Sequence, residues 1–452
     1  MKPTPSQAST AGLAAGLAAG LAAGPTAGPT FAGSGTPLRA TRAEWSESTI
    51  LILKRLLSPL RAITASMNPP RILLGLLFVA SIMAAGGLWD SAARALGTTQ
   101  LGPGGLITVV DGVAIFAPDV EGMSGDGSRG LFESTVDAVT LASVQAMRAI
   151  LAGNPADAIH WLRALILDVP LTLWRVSPTF VILFGLPLVV LISLLGGAVS
   201  RIAAVEQASG VRLGTVEALR FSGESLVRTV AAHLIPLALL GALAVVMAVA
   251  GALLLVPVLN LLVALAAGLL LLLGFLGVVL GLLTIVSMPL SCAAVACDDS
   301  DAADSTQRTF AYCLQRPVQC IALHAITLMG AAVGYAVIAT VVALALSVTG
   351  GLLGVWGAEP AGALTEGVGP FAIQATSEHV VEGATVRGSS AILGFWRTVC
   401  VGLVAGWTVS YLFSAWTFVY LALREAVDGQ EPEDVRGAGA AAGRWEAGRA
   451  DA

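Results

Sequence analysis

The chain has 452 residues, 56% of them hydrophobic and only 12% charged, with a net charge of −5. A soluble protein carries about 25% charged residues and has no place to hide this much apolar surface, which excludes a water-soluble globular fold. The acidic balance leaves no basic excess for a nucleic-acid partner.

Residues 1–44 are a Gly/Ala/Pro-rich tail in which Gly12, Gly16, Gly20 and Gly24 recur every four residues. This composition predicts disorder; the competing reading is a signal peptide, because Lys2 precedes an Ala/Leu/Gly stretch. Residues 45–68 mix Ile50, Leu53, Leu57 and Leu60 with Lys54, Arg55 and Arg61. That mixture predicts an amphipathic helix, lying on an anionic membrane surface or packing on the bundle. Asn68-Pro69-Pro70 ends it, and 72–88 are apolar and just long enough for a first span, assigned to 69–89.

Residues 90–176 contain no adequate apolar run and read as an extracytoplasmic segment. Residues 106–110, the dipeptide Asp111-Gly112 and residues 113–116 predict a short β-hairpin with a type I′ turn. Residues 131–151 and 156–167 predict two amphipathic helices, split by Gly153-Asn154-Pro155.

Residues 177–424 predict a five-span membrane bundle. The second span covers 180–199, and a polar connector, 200–228, follows with Arg201, Arg212, Arg220 and Arg228. From Thr229 to Cys297 there is then no Asp, Glu, Lys or Arg. At about 1.5 Å rise per residue this run far exceeds one crossing of a hydrocarbon core about 30 Å thick. Pro257-Val258-Leu259-Asn260 divides it into two arms, a membrane hairpin around which the rest of the chain is expected to be organised. A second connector, 291–319, leads to a fifth span over 321–346. An outer loop, 349–393, then precedes a sixth span over 395–423, and residues 425–452 form an acidic, disordered tail.

The expected fold is therefore all-α, a polytopic transmembrane helix bundle of about six spans. An even count puts both termini on one side. Of the 24 Lys and Arg residues, seventeen fall on that side and seven on the other. The excess predicts cytoplasmic termini and cytoplasmic connectors. Trp89, Trp174, Trp356 and Trp396 fall near the outer boundaries, as an interfacial aromatic belt would. Five cysteines (Cys292, Cys297, Cys313, Cys320 and Cys400) form no C-x-x-C pair and predict no disulfide framework.

The connectors carry a candidate duplication. A shift of 91 residues lays Ser200 on Ser291, Thr215 on Thr306, Phe221 on Tyr312 and His233 on His324; chance matching of Ala in this composition is the competing reading. Thr215 and Ser300 are expected to cap helices whose first turns carry Glu217 and Asp301. Asp298, Asp299, Asp301 and Asp304 read as a solvated, helix-capping acidic turn, because the nearby cysteine spacings fit no zinc module. Trp407, Tyr411, Trp416 and Tyr420 should pack against neighbouring helices or lipid.

Candidate functional residues are few. His233 and His324, each about a turn inside a span, could relay protons or simply hydrogen-bond between helices. Gly125, Gly127 and Gly130 have dinucleotide-loop spacing but no strand leads into them, so a loop is expected. No H-E-x-x-H, G-x-S-x-G or Walker A motif occurs. No catalytic, cofactor-binding or metal residue is nominated.

Two resemblances add to this reading. Residues 196–205 (GGAVSRIAAV) and 217–221, with 299–304 (DSDAAD), Arg308, 310–312 and Arg316-Pro317, resemble the connectors of a family of uncharacterised bacterial polytopic membrane proteins. That likeness implies topology and no activity. Glu217, Ala218, Gly223 and Pro236 resemble the coupling loop of ABC-importer permeases in spacing, although Leu219, His233 and Ile235 depart from its pattern. This likeness implies a short cytoplasmic helix docking on an ATPase subunit. The expectation is an inner-membrane protein of structural or accessory role, with the bilayer and a cytoplasmic protein at the connectors as partners. The competing expectation is a permease or transporter subunit coupled to a separate ATPase.

Overall fold

The computed structural model describes residues 56–97, 101, 106, 108–110, 113–115, 129–356, 359–365, 368–369, 372–373 and 384–435. The N-terminal tail, residues 45–55 of the amphipathic segment, Gly125, Gly127, the Asp111-Gly112 turn and the chain beyond 435 lie outside them. Six helices are long and apolar enough to cross a membrane, and together they make an all-α multi-pass bundle. They are Pro69–Ala95, Pro178–Ser209, Leu226–Leu253, Ala267–Asp298, Pro317–Leu353 and Thr385–Asp428, spans 1 to 6 below. Spans 1, 2 and 5 start on prolines, whose missing N–H and fixed φ suit the first helical turn. Ser177 also caps span 2, its hydroxyl accepting from the Phe180 N–H at 3.3 Å.

The loop between spans 3 and 4 falls at the expected proline break, and it holds a short extra helix, Leu259–Leu265. Val258, just before that helix, sits at φ 75°, an uncomfortable conformation for a β-branched residue. The β-hairpin pairs Thr108–Val110 with Val113–Ile115, with Val110 opposite Val113 across two residues. That is the register an Asp-Gly turn sets.

The centre of the bundle is not the uncharged hairpin. Span 6 packs against spans 1 and 5, the short helix Arg61–Ser66 and the ends of spans 2 and 4. Its 18-residue apolar window is 44% buried, whereas the windows of spans 3 and 4 are 6% buried. Small residues explain the choice. A Cβ on Gly75 of span 1 would run into the backbone carbonyl of Gly406. Gly334 and Gly330 of span 5 leave room for Trp407 and Tyr411 of span 6. The Tyr411 hydroxyl donates to the Thr327 carbonyl at 3.1 Å. In lipid, close backbone approach and interhelical hydrogen bonds hold helices together, because apolar side chains gain nothing by leaving apolar solvent.

Several boundaries differ from expectation. Span 1 starts at the expected Pro69 but runs past 89 to Ala95. Span 2 runs unbroken through residues 200–209, and span 4 through 291–298, so the true connectors begin at Gly210 and Asp299. Small residues allow this: Ala203, Ala204, Ala293 and Ala294 are fully buried, where these two helix ends pack on each other. The second far-side helix also continues past 167, through the π-turn Ala164–Asp168, into Val169–Val176. Of the amphipathic segment, the described part packs on the bundle, with Ala62 buried beside Trp407 and Phe418.

Candidate functional site

The connector end holds the candidate site, and its first half is a groove. Span 2 widens at the π-turn Ile192–Gly196, and the Ser222 hydroxyl is shared there between the carbonyls of Leu194 (2.6 Å) and Ser193 (3.0 Å). Gly197 makes this contact possible, since a Cβ there would sit 2.6 Å from Ser222 Oγ. Below, the span-2 helix stops at Gly210, whose φ of 69° only glycine adopts without cost. Residues 211–214 then turn the chain back into the connector helix Thr215–Glu224. The result is a groove of about 870 Å³ lined by Arg201, Arg212, Leu213, Val216, Glu217 and Phe221 among others.

Arg201 forms its inner wall. Nη1 donates to the Ala296 carbonyl at 2.6 Å, and the guanidinium lies 4.3 Å from the Phe221 ring centroid. One side chain thus ties span 2 to span 4 and to the first connector helix. Arg212 reaches Glu206 at 3.7 Å, and Glu206 also receives the fully buried Arg71 of span 1. Of the four residues resembling a coupling loop, Glu217 and Gly223 are exposed while Ala218 and Pro236 are buried. Ala218 belongs to the core with Leu195, Ala198 and Ile202. A Cβ on Gly223 would meet nothing within 4 Å, so this chain itself does not require glycine there.

The second half is an ionic clasp around Asp298. Its carboxylate accepts from Tyr420 Oη at 2.5 Å and Arg424 Nη1 at 2.7 Å, both on span 6. Arg308 Nη1 lies 3.4 Å away, while its Nε bonds Asp304 at 2.9 Å. Arg424 Nη2 also donates to the Glu431 carbonyl at 3.1 Å. Tyr312 donates to Asp428, its ring 5.6 Å from that of Tyr420. Arg228 of span 3 meets Asp299 at 2.8 Å. Asp298 is therefore not part of a solvated turn: its side chain is 10% exposed and neutralises Arg424, which is 1% exposed. The hydrogen bond to Asp304 holds Arg308 well above the usual arginine range. Burial, then the hydrogen bond to Asp428, pushes the Tyr312 phenol up.

The helix caps lie one residue from where they were expected. The first connector helix begins after Gly214, with no side-chain cap. The second is capped by Asp301, whose Oδ1 accepts from the Asp304 N–H at 2.8 Å. Ser300 is occupied elsewhere, 2.7 Å from Ser305 Oγ.

Each histidine bonds the backbone of its own span, and His233 also reaches span 4. His233 Nδ1 lies 2.8 Å from the Thr229 carbonyl and Nε2 3.9 Å from Cys292 Sγ. His324 Nδ1 lies 2.9 Å from the Cys320 carbonyl, beside the Cys313–Cys320 thiol contact at 3.4 Å. Both rings thus bond the carbonyl four residues back, and spans 3 and 5 begin 91 residues apart, at Leu226 and Pro317. The connector helices break that parallel: the first packs on span 2, the second on spans 3 and 4. Among the described residues no group of three or more His, Cys, Asp or Glu is placed to hold a metal ion.

Sequence reading missed Arg71, Arg424 and Asp90 as anchors. The available signal was a charge at or inside a span end, which needs a partner there. Asp90 takes the N–H groups of Phe132 (3.0 Å) and Glu133 (2.9 Å), capping a helix from another element. Gly130, the last glycine of the dinucleotide-like spacing, leaves space for that carboxylate. No protein-family model, curated protein or solved structure matches this chain.

Proposed function

We propose that the chain is a non-enzymatic structural or accessory component of a bacterial inner membrane, with its termini and connectors in the cytoplasm. One observation carries this reading, namely the use made of buried charge. Arg71, Arg201, Arg424 and Asp90 each join two elements through a carboxylate, a carbonyl or a pair of N–H groups. These charged groups hold helices together. The likeness of the connector blocks to uncharacterised bacterial polytopic proteins fits the same role and extends to proposed membership of that family.

The second reading, a permease subunit coupled to a separate ATPase, rests on the groove and on the exposure of Glu217 beside it. Purification of the full chain in mild detergent separates the two. The structural reading expects no stoichiometric ATPase. An ATPase that copurifies with the native chain and is lost with Glu217→Arg would overturn it in favour of the permease.

A further inference from the structure

We infer that the helix over 155–176 is an interfacial helix, with one apolar face on the bundle and the other in the lipid leaflet at the end opposite the connectors. The helix carries apolar residues on two sides. Ala158, Ala164, Val169 and Leu173 are buried, where the helix packs along Leu131–Leu151. Ile159, Ile166, Leu167, Leu171 and Trp174 are exposed, Ile159 at 67% and Leu171 at 53%. A helix of a water-facing segment buries one apolar stripe and turns polar residues outward. Here the outward side carries those apolar residues, interleaved with the exposed Asp157, His160, Arg163 and Arg175.

Lipid is the occupant that the surroundings favour. The helix runs directly into span 2, with only Ser177 between them. Beyond the extended Ser177, the first turns of span 2 leave Ile182, Leu183 and Leu186 exposed as well. The junction is fixed at the far end of the bundle by Trp89 of span 1, whose ring meets Phe180 edge-on at 5.3 Å. Trp174 stands at this boundary, half exposed, in the place an interfacial indole takes. Arg163 and Arg175 stand along the same helix, both exposed. Their guanidinium groups suit phosphodiester headgroups above the buried stripe. Asp168, 3.5 Å from Arg163, balances one of them.

The test uses the full chain with Cys400→Ser, since the other four cysteines are buried. Single cysteines at Ile166, Leu171 and Asp157 carry a nitroxide, and the protein sits in phosphatidylcholine/phosphatidylglycerol vesicles. Collision with oxygen, which partitions into lipid, is compared with collision with a water-soluble nickel chelate. Leu271→Cys on the exposed hairpin serves as the lipid reference. The inference expects Ile166→Cys and Leu171→Cys to match Leu271→Cys, with nickel collision severalfold lower than at Asp157→Cys. Nickel access equal to that at Asp157→Cys would overturn it, because the face would be in water. Low access to both reagents would overturn it too, because a second copy or another protein would cover the face.

Discussion

Spans 3 and 4 and span 6 divide the work of this bundle in opposite ways. The hairpin is the most apolar part of the chain, yet it leaves Val245, Leu271 and Phe275 facing outward, its arms touching each other and the second connector helix. Span 6 is the least apolar of the six and the most buried. It carries Trp407, Tyr411, Tyr420 and Arg424 with almost no exposed surface, and it touches glycines on spans 1 and 5. The difference teaches that hydrophobicity marks where a chain crosses lipid and says little about where helices meet. Meeting points are made by small residues and by polar side chains that bond across helices.

The largest break in that contrast should come at the glycines. Gly406→Leu drives a side chain into the backbone of span 1, where no rotamer change relieves it. The expected cost is at or above about 3 kcal/mol, the upper end for overpacking, seen as lost monodisperse protein after solubilisation. Gly281→Leu in span 4, where a Cβ meets open space, should leave the yield unchanged.

Next is Asp298→Ala, which strands the buried Arg424 without its carboxylate. Removing one partner of a buried pair costs about 3–5 kcal/mol, read as a lower melting temperature in detergent. Adding Arg424→Met should recover much of it, because no unpaired charge then remains. Failure of that rescue would mean the clasp does more than neutralise Arg424.

Tyr312→Phe should cost less, about 1.5–3 kcal/mol for a hydrogen bond to a charged partner. Its phenol is held above the ordinary value of about 10. The folded state thus binds this proton more tightly than the unfolded chain. The stability it contributes is complete below pH about 10 and is lost as pH rises beyond it. Melting curves from pH 8 upward should show that alkaline loss in the native chain and a shallower one in Tyr312→Phe. The smallest effect belongs to Leu271→Ala on the lipid-facing hairpin, expected within about 0.5 kcal/mol.

The same contrast accounts for what could be read in the sequence. Six crossings and the hairpin register were legible, because both depend on local runs: apolar stretches of span length, and Asp-Gly between two strands. The prominence of 229–297 was legible too, but its place at the rim was not, since an exposed Leu and a buried Leu look alike in a lipid-soluble run. Asp298 pairs with Arg424 across 126 residues, and Asp90 caps a helix 42 residues away; neither follows from spacing. Candidate residues fared unevenly for the same reason. Glu217 and Gly223 lie on the open face, but Ala218 and Pro236 were drawn inside by packing. His233 and His324 each settled on the carbonyl one turn back.

Both sides of the comparison depend on six crossings that return the two connectors to one face. Single cysteines at Arg212 and Arg316, both exposed, can be labelled in sealed vesicles with a membrane-impermeant maleimide, on the Cys400→Ser background. The layout predicts that both react from the same side, with matching protection when the vesicles are inverted. Reaction from opposite sides would contradict it, and the central place of span 6 would fall with it.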